Sequence, residues 1–153
     1  MHKPFHLLPL LAIFVGCAHN PPPLDSRSYD IIVKNETSRP VTLVLQKESG
    51  PRQDAWLTPE EIARGTSIPN AKWGIGVVPA GKSVAARDVR GDFDKGSGAW
   101  IRVYRGEPTL GEMLKIQPDS GDRAQAPLTP GSNQFVVRMR NGNITVQPVE
   151  PAR

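Results

Sequence analysis

Few residues in this chain carry reactive chemistry, and their spacing narrows what that chemistry can be. Asp92-Phe93-Asp94 stands between glycines with Asp88 just upstream. Alternating carboxylates in a loop can offer oxygens to a calcium ion. Counted from Asp92 as the first ligand, however, the fifth position is Gly96 and the twelfth is Val103 rather than a glutamate. Asp92 and Asp94 are the nearest approach to a metal pair, and no metal is assigned to them. An acidic turn between strands accounts for both. Histidines occur at positions 2, 6 and 19 only, so nothing after His19 can complete a Ser-His or Cys-His pair. Glu60 and Glu61 are adjacent and would point apart on a helix. No catalytic residue and no cofactor is expected. A hydrolase built from two carboxylates on distant strands is the one enzymatic alternative.

Binding chemistry has more to draw on. Trp100, Arg102 and Tyr104 alternate, so one strand would carry all three on the same side. Arg138 and Arg140 repeat the spacing near the end of the chain. Aromatic and arginine side chains together are the composition of interface hot spots. Trp100, Arg102, Tyr104, Arg138 and Arg140 are therefore the expected binding face, for a protein partner or a glycan. Trp56 and Trp73 are further candidates for an aromatic platform. The plainer alternative buries Trp100 and leaves Arg87, Arg102, Arg105, Arg138 and Arg140 as solvated charges that guard sheet edges.

The beginning of the chain says where such a face would work. Met1-His2-Lys3-Pro4-Phe5-His6 has one firm positive charge, and residues 7–16 form an apolar run of ten. That is the layout of a secretory signal, and it is too short to span a bilayer, which takes about 20 apolar residues. Cys17 is the only cysteine, so the domain must be stable without an internal disulfide, and a lone cysteine in an exported chain needs an explanation. Phe14-Val15-Gly16-Cys17 resembles the lipobox of bacterial lipoproteins. The resemblance implies that the Gly16–Cys17 bond is cut and that Cys17 receives lipid on its sulfur and its new amino terminus. Phe14 departs from the leucine usual in the family, which would slow processing. Two or more acyl chains suffice for stable anchoring. By the same resemblance, Ala18 rather than Asp after the cysteine implies an outer-membrane location facing the periplasm. Pro21-Pro22-Pro23 favours an extended, semi-rigid spacer.

Residues 1–16 thus read as a lipoprotein signal peptide, 17–28 as a lipidated tether, 29–149 as one domain and 150–153 as a tail. About 120 residues suit a single domain. The net charge of +4 falls to +3 once Lys3 is removed. It is interspersed along the chain, so no nucleic-acid partner is expected.

The elements that must position the candidates are strands. Tyr29, Ile31 and Val33 alternate, as do Val41, Leu43 and Leu45, and the polar stretch 35–40 between them reads as a hairpin loop. Strands are also expected over 74–78, 83–89 and 99–105, with 91–98 a loop and 112–116 a further short strand. Pro79-Ala80-Gly81-Lys82 and Thr129-Pro130-Gly131-Ser132 are turns. Phe135, Val137 and Met139 should face a core, followed by Asn141-Gly142 in a type I′ turn and a strand over 143–147. Thr58-Pro59-Glu60-Glu61 is a capping box that opens a short helix to Gly65, inside a long connection over 47–72. Seven to eight strands and one short helix predict an all-β fold, a β-sandwich of immunoglobulin-like or related topology. A small open barrel is the alternative. The function expected is that of a non-enzymatic, membrane-anchored envelope protein that binds another envelope protein or polymer. A carbohydrate- or small-ligand-binding module is the alternative.

Overall fold

The computed structural model describes residues 25–47, 76–93 and 95–149. They form two four-stranded sheets packed face to face, the expected β-sandwich. The strands are β1 (Asp25–Asn35), β2 (Val41–Lys47), β3 (Gly76–Val78), β4 (Ser83–Phe93), β5 (Ala99–Arg105), β6 (Arg123–Leu128), β7 (Gly131–Arg140) and β8 (Asn143–Pro148). A single helical turn, α1 (Leu110–Met113), lies between β5 and β6. The first sheet has the order β4-β1-β7-β8 and the second β3-β2-β5-β6. Period-2 alternation drives the packing. Tyr29, Ile31 and Val33 with Phe135 and Val137 line the inside of the first sheet, against Val41, Leu43, Ile101 and Val103 of the second. Each large aliphatic side chain buried this way contributes about 1.5–3 kcal/mol.

The chain changes sheets where a hairpin was expected. β1 and β2 do not pair; residues 36–40 carry the chain from one sheet across to the other. The cause is Asn35, whose side chain is fully buried. Its Nδ2 donates to the carbonyls of Arg39 (2.8 Å), Val78 (3.0 Å) and Pro79 (3.2 Å), and its Oδ1 accepts from Thr37 N–H at 2.9 Å. An asparagine that caps its own following turn folds the chain back on itself locally and leaves β1 free to pair elsewhere. β1 becomes a central strand, antiparallel to β4 and parallel to β7. An immunoglobulin constant domain keeps its first two strands in one sheet, so this order is one of the related topologies.

Other boundaries moved for equally local reasons. β1 begins at Asp25, opposite Phe93, so four residues read as tether are strand. β4 runs on to Phe93, which is buried and meets the Tyr29 ring edge-on at 5.9 Å. Within β4, Arg87 and Asp88 together oppose Asp30, a bulge in which Asp88 takes φ +49° and donates its N–H to the Asp30 carboxylate at 2.9 Å. β6 was not among the expected strands; it contains Pro127 and lies at a sheet edge, where a missing N–H is tolerated. The strand expected over 112–116 is instead α1 and the turn after it. Thr109 and Glu112 form a reciprocal capping box. The β7–β8 hairpin is as read: Arg140 pairs with Asn143 across Asn141 (φ +52°) and Gly142 (φ +82°). Met139, expected in the core, lies beyond its end and is 37% exposed. The helix expected over 58–65, Trp56 and Trp73 lie outside the described residues.

Candidate functional site

The expected binding face divides between two sides of the molecule. Trp100, Arg102 and Tyr104 do share one side of β5, the side turned away from the main core. That side is not open. Tyr104 is fully buried and Arg102 is 5% exposed, with its Nη1 donating to the Tyr104 hydroxyl at 3.1 Å. Val44 and Met113 complete a small second core with Tyr104, and Ile116 packs against it. Burial removes Arg102 and Tyr104 as a platform for a sugar or a partner, and Trp100 is half-buried beside them. This corrects the face expected from alternation alone, since alternation assigns a side but not its exposure.

Arg138 and Arg140 are exposed on the outer side of the first sheet, across the sandwich from β5. Arg138 Nε donates to Glu36 Oε2 at 2.8 Å, and Lys34 Nζ lies 2.8 Å from Glu36 Oε1. Hydrogen bonds from Lys34 and then Arg138 hold the Glu36 carboxyl below its ordinary range. Lower on the same side, Ser28 Oγ donates to Asp88 at 2.8 Å, and Arg90 pairs with Asp88 at 3.0 Å. The Arg90 and then Ser28 hydrogen bonds hold the Asp88 carboxyl below its ordinary range. This is a solvated sheet face whose charges are largely matched. Asp92 lies on β4 and accepts from Ser26 Oγ. Asp94 and Cys17 lie outside the described residues, and among those residues no group of three metal-binding side chains gathers.

A more concave site occurs at one end of the sandwich. The connections 36–40, 79–82, 106–122 and 141–142 all lie at the end opposite Asp25, as the strand directions require. There a depression of about 560 Å³ opens between the end of β5 and α1. Arg39, Arg105, Glu107, Glu112 and Asp122 line it together with Pro108 and Ile116. Its walls are pinned by the backbone. Gly106 N–H donates to Pro40 C=O at 2.8 Å, and Thr42 Oγ1 donates to Gly106 C=O at 2.8 Å. Arg105 N–H donates to Asp122 C=O at 2.9 Å, while its side chain reaches the Asp122 carboxylate at 3.3 Å. The Thr109 backbone N–H, then its hydroxyl, hold the Glu112 carboxyl below its ordinary range. A smaller notch of about 40 Å³ adjoins, sharing Arg39 and Arg105 and lined also by Thr37, Ser38, Val41, Met139 and Ile144.

Sequence reading did not single out Arg39 or Glu107. The available signal was the second capping box, Thr109-Leu110-Gly111-Glu112, which has the same form as the one recognised at Thr58. No protein-family model matches the chain, and neither a curated protein nor a solved structure matches it. Its chemistry is read from its own residues.

Proposed function

We propose that the chain is a lipid-anchored envelope protein whose non-enzymatic sandwich holds its far end out to another envelope component. The observation that carries this is polarity. The lipobox cysteine, Cys17, precedes the first residue of β1, Asp25, by eight positions. Eight residues span at most about 28 Å. The Asp25 end of the sandwich is then the membrane end. The eleven residues of β1 rise about 3.3 Å each, which sets the opposite loops roughly 35 Å further out. The concave, charged end is the one such an anchor would leave facing outward, and the resemblance at Ala18 favours the periplasmic face of an outer membrane.

Two measurements test the reading. Cys17→Ser should abolish labelling by a palmitate analogue and release the protein from the membrane fraction. A photo-crosslinker at Glu107, on the outer end, should capture an envelope component that one at Asp25 does not. A free Cys17 thiol in the mature protein, or identical capture at both ends, would overturn it.

A further inference from the structure

We propose that Asn141 is a site of spontaneous covalent modification, at which the turn between β7 and β8 loses a side-chain amide and gains a carboxylate. The step needs two neighbouring groups and water. The Gly142 backbone nitrogen gives up its proton and attacks Asn141 Cγ. A C–N bond forms, the side-chain nitrogen leaves as ammonia, and a five-membered succinimide results. Water then opens the ring at either carbonyl, leaving aspartate or isoaspartate at position 141. Nothing is oxidised or reduced. The proposal is independent of the anchoring reading.

Four asparagines lie among the described residues, and their surroundings separate this one from the rest. Asn35 and Asn133 are buried, and several hydrogen bonds hold each amide. Asn143 is exposed, but the nitrogen after it is engaged: Ile144 N–H donates to Gly121 C=O at 2.7 Å. The branched Ile144 side chain also crowds any approach from that nitrogen. Asn141 has neither restraint. It is exposed, its amide makes no hydrogen bond among the described residues, and Gly142 N–H has no acceptor there. The space where a Cβ of Gly142 would stand is open. The turn is the remaining brake. Asn141 (φ +52°) and Gly142 (φ +82°) are held between the paired residues Arg140 and Asn143. Closing the ring requires rotation about the Asn141 Cα–C bond, out of the type I′ geometry. The reaction therefore proceeds from molecules whose hairpin tip has opened locally. Isoaspartate lengthens the backbone of this two-residue turn by one carbon. Met139 and Ile144, the next pair along the hairpin, both line the small notch, so the change reaches the candidate site.

The full chain in detergent micelles is incubated for days at pH 7 and pH 9, digested, and resolved by chromatography and fragmentation mass spectrometry. The peptide that holds position 141 should gain the mass of an amide-to-acid change and split into two isobaric forms, isoaspartate in excess. Fragmentation should place the change at position 141, and its rate should be higher at the higher pH, where the attacking nitrogen is more readily deprotonated. It should run roughly tenfold or more ahead of the same change at Asn35, Asn133 or Asn143, whose groups are held in the folded state. Asn141→Gln should remove both new forms, because the longer side chain closes its ring far more slowly, and Asn143→Gln should leave them unchanged. Unfolding in urea releases the turn and should speed the change at Asn141 by roughly tenfold or more. Modification at Asn143 instead, a single aspartate product, a rate at Asn141 no higher than at the other asparagines, or a rate that unfolding does not raise would each overturn the proposal.

Discussion

Replacing Asn35 by alanine should cost this domain about 1–3 kcal/mol, and the number follows from which groups lose their partners. The Asn35 amide serves four backbone groups at the corner between the sheets. Three of them have a second partner: the Arg39 carbonyl also accepts from Thr37 Oγ1 at 2.7 Å, the Pro79 carbonyl from Lys82 N–H at 3.1 Å, and the Val78 carbonyl from Val41 N–H in the β2–β3 ladder. The loss therefore falls mainly on Thr37 N–H. A buried polar group stranded without a partner costs about 1–3 kcal/mol. Against a typical total of about 5–15 kcal/mol, that is a large fraction. Urea unfolding followed by circular dichroism should show a lower midpoint with an unchanged m-value, and Tm should fall by roughly 5–15 °C. Asn35→Asp sharpens the test. It keeps the acceptor for Thr37 but turns negative oxygen towards three carbonyls, so the carboxyl's folded pKa must rise above the unfolded value of about 3.9. A carboxyl raised on folding stabilises most below its unfolded pKa and loses that stability as pH climbs through the folded one. Asn35→Asp should therefore be more stable at pH 4 than at pH 7, relative to wild type. A loss below about 1 kcal/mol for Asn35→Ala, or an Asn35→Asp variant as stable as wild type at neutral pH, would refute the corner as the element that sets the topology.

Two further outcomes follow from particular atoms. Burial pushes the Tyr29 hydroxyl above its ordinary range, against the opposing pull of the Arg27 hydrogen bond. Its contribution to stability is therefore complete below the unfolded pKa of about 10 and is lost as pH rises beyond it. Tyr29→Phe should flatten the alkaline fall in urea midpoint between pH 9 and 11, and an unchanged slope would count against this assignment. Gly142 occupies φ +82° in the β7–β8 turn with open space around its Cα. Gly142→Ala should therefore cost about 1–2 kcal/mol from backbone strain alone, read as a lower Tm with unchanged near-ultraviolet dichroism. A neutral result would show that the turn relaxes to another type.

What could be read from the chain was whatever depends on neighbours in sequence. Alternation marked Tyr29, Ile31, Val33, Val41, Leu43, Leu45, Phe135 and Val137 as one-sided, and all are buried. Asn141-Gly142 announced its turn because only that pair tolerates two positive φ values cheaply. What could not be read depended on long-range partners. The pairing of β1 with β7 spans about a hundred residues, and no local pattern encodes it. Arg102 and Tyr104 have the period of a two-sided strand, and period is silent about whether the second side meets water or more protein. The distinction between α1 and the strand expected over 112–116 was legible, since Thr109 and Glu112 stand at capping-box spacing.

The corner and the candidate site turn out to be one piece of structure. Arg39 belongs to the five-residue connection that Asn35 organises, and its carbonyl is held by both Asn35 and Thr37. Pro40, the next residue, receives the Gly106 N–H that anchors the opposite wall. Val41, which lines the notch, opens β2 and pairs with both Val78 and Arg105. A hairpin between β1 and β2 would have kept this loop within one sheet, and Arg39 would then have been carried away from Arg105 on the other. Because the loop crosses between sheets, two arginines 66 positions apart in the chain come to line the same depression. The energy spent ordering so short and polar a loop is hard to recover from apolar burial, since residues 36–39 are polar and only Thr37 among them is buried. It is recovered from hydrogen bonds to one buried amide. The change of sheet that obscured the topology in the sequence is thus also what builds the concave end. It follows that Asn35 variants that remain folded should disturb the amide signals of Arg39 and Arg105 before those of Val33 or Val137.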